Sequence, residues 1–187
     1  MATIYLMERG LGWLSFEGYS WGSDSFWKVG VDTVFMFWFF ILVAAQEELL
    51  FRGYILQNVA EGLNILWGFL LSSLIFALMH FSNPGYSAMA LLGIFLSGLF
   101  IAYSYICTRQ LWLPAGIHLG WNFFEGTVFG FQVSGLEGMP RLIKQTVSGP
   151  TLFTGGSFGP EAGLILIPAL ILGLFLIRGY SQIRSEA

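Results

Sequence analysis

Apolar residues in this chain fall in long runs broken by short polar clusters, rather than in the alternating or one-faced patterns of soluble strands and helices. Five runs, Val29–Val43, Ile65–Met79, Ala88–Thr108, Leu111–Phe131 and Ala162–Ile177, are candidate membrane helices, because about 20 apolar residues cross the hydrocarbon core. The first is predicted to start near Lys28 and to continue to about Asn58, since Gln46–Gln57 holds good helix formers and no proline. Gly62 and Asn64 then turn the chain back. The second is predicted to reach about Phe81 and to stop at Ser82-Asn83-Pro84-Gly85, a strong breaker cluster. The third leads to Thr108-Arg109-Gln110, and the fourth opens near Trp112–Pro114, where proline is tolerated in a first turn. The pattern predicts an all-α, polytopic transmembrane helix bundle, with about five membrane helices around a polar intramembrane cavity. Residues 1–28 read as an interfacial N-terminal segment and residues 133–161 as a Gly/Pro-rich extramembrane loop. The whole chain, 1–187, is expected to form a single integral membrane domain.

Composition sharpens this reading. Hydrophobic residues make up 56% of the chain and charged residues 10%, against about 45–50% and about 25% in ordinary soluble domains. Too few charges exist to clothe a soluble exterior, so the lipid bilayer is the expected surrounding. The net charge of −3 and the lack of a Lys/Arg cluster exclude a nucleic-acid binder, whose affinity comes from neutralising phosphates. Cys107, the single cysteine, cannot form an internal disulfide, and its apolar setting marks it as a buried thiol.

An ionisable side chain inside a membrane helix costs about 2.5–3.5 kcal/mol on insertion scales, which makes each one a functional candidate by default. The candidates here are Glu47, Glu48, Arg52, His80 and His118 with Asn122; Asp32 and Glu125 are weaker ones. On a helix, Glu48 and Arg52 share a face with the acid placed N-terminally, the favourable order for an ion pair. Glu47 is turned about 100° away and is left to hold or deprotonate a water. The plain alternative places both acids in the headgroup layer at a helix end. His80 follows Phe76 by one turn, and a lone histidine in such a place is more often a hydrogen-bonded core residue than a catalyst. His118 and Asn122 project together from the fourth helix; such a pair also serves as interhelical glue. Together, a carboxylate, two imidazoles and an amide from three helices supply the parts of peptide hydrolysis: a base, a proton relay and oxyanion donors. Straight helices leave these groups at unequal depths, so the arrangement requires tilt, an indented turn or a break.

Three ordered motifs, Glu47-Glu48-x-x-x-Arg52, Phe76-x-x-x-His80 and His118-x-x-x-Asn122, resemble those of the CPBP intramembrane proteases, the CAAX prenyl endopeptidase and bacteriocin-processing family. The resemblance extends from about Trp13 to about Tyr180 and includes the segment Thr154–Glu161, common in bacterial members. It implies an intramembrane endopeptidase of a bacterial cytoplasmic membrane that cleaves a membrane-associated protein or peptide precursor. In that reading the residues matching Glu47 and His80 activate water, and those matching His118 and Asn122 form the oxyanion site. Glu48, Arg52 and Phe76 support them. Family members are frequently described as metalloproteases, and zinc, if bound, would be held by Glu47, His80 and His118. HExxH is absent, and the expectation is glutamate-activated water with no cofactor required. Many relatives carry further membrane helices before the first motif, so the resemblance fits either a compact member or part of one. Two other classes use the same cavity: a non-enzymatic bacteriocin-immunity or scaffold protein that binds a peptide, and a small transporter with a proton relay.

Overall fold

The computed structural model describes residues 1–185. A short helix, α1 (Ala2–Gly10), and a strand, β1 (Leu14–Tyr19), precede the first long helix. Helix α2 (Phe26–Glu48) runs through a π-helical stretch, Leu49–Ile55, into α3 (Leu56–Gly62), giving one continuous rod of 37 residues. It outruns the predicted end near Asn58. Ser25 caps its start, its side chain accepting from the Lys28 N–H at 3.2 Å.

Asn64 caps α4 (Ile65–Met79) in the same way, accepting from Trp67 N–H at 3.1 Å, and Ser87 caps α5 (Ala88–Thr108) through Ala90 N–H at 3.1 Å. These polar caps satisfy backbone donors that a helix end leaves open. Helix α5 stops where Arg109 adopts a left-handed conformation, φ 54°. Helix α6 (Trp112–Asn122) continues as a second π-helical stretch, Phe123–Val128. The last long helix, α8 (Leu166–Ser185), starts four residues later than predicted, because Pro160–Ala162 forms a separate tight turn. Among the described residues three helical segments, Phe26–Gly62, Ala88–Thr108 and Leu166–Arg184, are long and apolar enough to cross a membrane, and Ile65–Met79 is a shorter apolar helix. The molecule is an all-helical bundle of the polytopic membrane type. The outer face of α2 is correspondingly apolar, with Phe35 64% and Trp38 61% exposed.

Sequence periodicity gave no hint of a sheet. Strand β1 pairs antiparallel with β2 (Ile143–Val147), Leu14 opposite Val147 and Tyr19 opposite Ile143, with a bulge at Glu17. The Gly/Pro-rich segment therefore has structure of its own: β2, a one-turn helix α7 (Thr151–Thr154), and the turns Gly156–Phe158 and Pro160–Ala162. It packs closely on the bundle at glycines. A Cβ on Gly135 would stand 2.0 Å from the Pro84 carbonyl oxygen, and one on Gly93 of α5 would stand 1.7 Å from that of Glu161. Phe158 and Ala162 join Phe51, Phe76, Ala77, Ala90 and Ile94 in the core beneath the polar site.

Candidate active site

The two π-helical stretches adjoin the polar motifs. One follows Glu47 and Glu48 and contains Arg52; the other follows Asn122 directly. Such widened turns break the regular phase of a helix and are frequent at functional sites.

Glu48 lies at the centre of a sealed network. Arg52 Nη1 donates to Glu48 Oε1 at 2.8 Å, and their side chains are 0% and 1% exposed. Arg52 Nη2 reaches across to the Gly98 carbonyl of α5 at 2.8 Å. The same Glu48 oxygen lies 2.8 Å from His118 Nδ1. A carboxylate only accepts, so His118 carries its proton on Nδ1 and presents Nε2 elsewhere. That Nε2 lies 3.7 Å from Glu47 Oε2, with the Glu47 side chain 26% exposed. The rotation between adjacent helix positions thus separates the carboxylates as the spacing predicted, and it adds a contact that the spacing did not reveal, from Glu48 to His118.

Phe76 is the hub of the site. The Arg52 guanidinium lies 4.8 Å over its ring, while the rings of His80, His118 and Phe51 pack edge-on at 4.9, 5.9 and 5.1 Å. One aromatic thereby spaces both histidines and screens the arginine from the cavity. Helix α4 ends at Met79, two residues before the predicted boundary. The physical cause is local: His80 Nδ1 donates to the Phe76 carbonyl at 2.9 Å, the acceptor that the His80 N–H would use in a continuing helix, and that N–H turns to Ala77 instead. This competition between side chain and ladder puts His80 on the cap, with Nε2 left without a hydrogen-bond partner among the described residues.

Glu47, Phe76, His80, His118 and Asn122 line one chamber of about 310 Å³. The Asn122 side chain, 7% exposed as a residue, makes no hydrogen bond within the described residues, so its amide donors are free for a ligand. The weaker candidates lie elsewhere. Asp32 pairs with Lys28 at 2.6 Å on the surface, and Glu125 is wholly buried beside Trp121, away from the chamber lining. Groups that the periodicity did not mark also line the chamber: Asn83, Ser97, Ser134 and Glu161. They sit in a turn, among small residues of α5 and in the irregular segment, where no helical spacing flags a polar position. Among the described residues no three His, Cys, Asp or Glu side chains group as a metal site.

The family model for type II CAAX prenyl endopeptidase Rce1-like proteins matches residues 29–124, just over half of the chain and all three motifs. The chain belongs to this family and is thus a CPBP-type intramembrane protease, a hydrolase integral to the membrane. No curated protein matches it. No solved structure matches it either.

Proposed function

We propose that the chain is one membrane-integral endopeptidase unit in which Glu47 deprotonates a water for direct attack on the peptide bond of a membrane-associated protein or peptide precursor. The observation that carries this reading is the division between the two adjacent glutamates: Glu48 is consumed by Arg52 and His118, while Glu47 lines the chamber and its Oε2 has no hydrogen-bond partner among the described residues. A base must reach its proton before its pKa matters, and Glu47 is the carboxylate of the first motif that can.

The histidines divide the remaining work by tautomer. His80, its Nδ1–H spent on the Phe76 carbonyl, offers a bare Nε2 that takes the water's proton from Glu47 and passes it to the leaving amine. His118 is held with Nδ1 2.8 Å from Glu48 and Nε2 3.7 Å from Glu47. Donation from its Nε2 and from the Asn122 amide stabilises the oxyanion, a task in which one well-placed donor is worth about 10²–10³ in rate. Water is activated here by protein groups alone, and no step passes through a metal. The likeness of Thr154–Glu161 to bacterial relatives supports a bacterial cytoplasmic membrane as the location.

The test is cleavage of the host's membrane peptides by the purified chain in liposomes, read by mass spectrometry with and without 1,10-phenanthroline. New termini are expected in both arms. Cleavage abolished by the chelator and restored by zinc would replace the metal-free mechanism, and no cleavage of any peptide would remove the enzymatic reading.

A further inference from the structure

The chamber has a second carboxylate that the mechanism above does not use. Glu161 lies in the Pro160–Ala162 turn, is 5% exposed, and lines the same space as Glu47, His80 and His118. Its place is built by the backbone. The Glu161 carbonyl docks where Gly93 lacks a side chain, so close that a Cβ there would stand 1.7 Å away. Ser134 donates to Glu161 Oε2 through both its N–H, at 2.8 Å, and its hydroxyl, at 2.6 Å. The Ser134 carbonyl accepts the Asn83 amide at 2.9 Å, tying this loop to the turn that begins at His80. Glu161 Oε1 receives no hydrogen bond from any described residue.

An acceptor that opens on the chamber loses its water when a peptide enters, and is then costly unless the peptide supplies a partner. The chamber supplies none of the usual ones. Among the described residues no lysine or arginine lines it, and Arg52 is 0% exposed and held by Glu48. Both imidazoles are within electrostatic reach of Glu161, but each spends its Nδ1–H elsewhere, on the Phe76 carbonyl and on Glu48. The free oxygen thus belongs to the space that a peptide would fill.

We propose that Glu161 is a specificity-determining residue that accepts a cationic group of the substrate, a lysine or arginine side chain or a primary amine, beside the scissile bond. This rests on the chamber being the peptide site. An acidic group at the same position meets two carboxylates and no lysine or arginine, so the chamber selects against it.

The test uses the full chain in liposomes with a library of peptides, each carrying one transmembrane segment and randomised juxtamembrane residues that include norleucine as the uncharged match for lysine. Cut sites are read by mass spectrometry. Lysine and arginine are expected to be enriched over norleucine by about 10-fold at one position flanking the cut, the scale of a charge-assisted hydrogen bond, with glutamate depleted there. In Glu161→Gln, which keeps an acceptor for Ser134, that enrichment is expected to vanish. Cleavage without basic enrichment, or enrichment that survives Glu161→Gln, overturns this inference and leaves the protease standing. No cleavage by the unmodified chain overturns both. The unmodified chain's cut sites decide the matter even where the variant fails to fold.

Discussion

Side by side in the last turn of α2, Glu48 is sealed against Arg52 and His118 with its side chain 1% exposed, whereas Glu47 keeps 26% of its side chain exposed and lines the chamber. A rotation of about 100° per residue sends one toward the packing seam and the other toward the cavity. The sealed carboxylate holds structure: it fixes a guanidinium, and through His118 Nδ1 it fixes which nitrogen the imidazole presents. The open one lacks such ties among the described residues, and to it we assign the chemistry. Two identical side chains thus meet different surroundings because of what packs around them. Arg52, within the π-helical stretch that starts at Leu49, lies in the seam as well.

The largest effect that would sharpen this contrast falls on the sealed side. Replacing Arg52 by Met leaves Glu48 a buried charge facing only His118, and stability in detergent should fall by about 3–5 kcal/mol. Adding Glu48→Leu in the same chain should restore much of that loss in a thermal-unfolding series, whereas an additive second loss would mean that the two side chains do not act as a pair. A smaller effect is expected at Phe76→Leu. It removes edge-on contacts with His80, His118 and Phe51, each worth about 0.5–1.5 kcal/mol, so melting should drop while the histidines lose their spacing and turnover drops further than stability does. Unchanged turnover in the leucine variant would remove Phe76 as the spacer.

The smallest effect lies outside the spans, at α1, where the Glu8 carboxyl is buried with no hydrogen-bond partner among the described residues. Burial pushes the Glu8 carboxyl up from 4.5 to about 7. The folded chain keeps that proton up to about pH 7, while the unfolded chain releases it near 4.5. Folding is therefore favoured most below the lower value and loses this contribution as pH rises through the upper one. Melting temperature should decline modestly across that window, and Glu8→Gln should flatten the slope; an identical slope in the variant would assign the dependence to other groups.

Helix positions and the three polar motifs were legible in the sequence because local spacing encodes them. Residues four apart on a helix meet, so Glu48 with Arg52, Phe76 with His80, and His118 with Asn122 announce shared faces. Contacts made by distant segments left no such trace. The pairing of β1 with β2 joins Leu14 to Val147, and neither segment shows strict alternation. Glu161 reaches the chamber because Gly93 and Ser134 receive it from elsewhere in the chain. The early end of α4 depends on a side chain taking a backbone acceptor, which His80 does and its spacing does not reveal. Ionisable residues on helices were therefore found from the sequence, while polar groups on turns and loops, and Ser97 among the small residues of α5, required the structure.

The most direct measurement compares Glu47→Gln with Glu48→Gln, reading hydrolysis and melting temperature on the same purified samples. Glu47→Gln should lose about 10²–10⁴ in turnover at an unchanged melting temperature, whereas Glu48→Gln should lower both. A Glu47→Gln chain that cleaves at the rate of the unmodified protein would contradict the account.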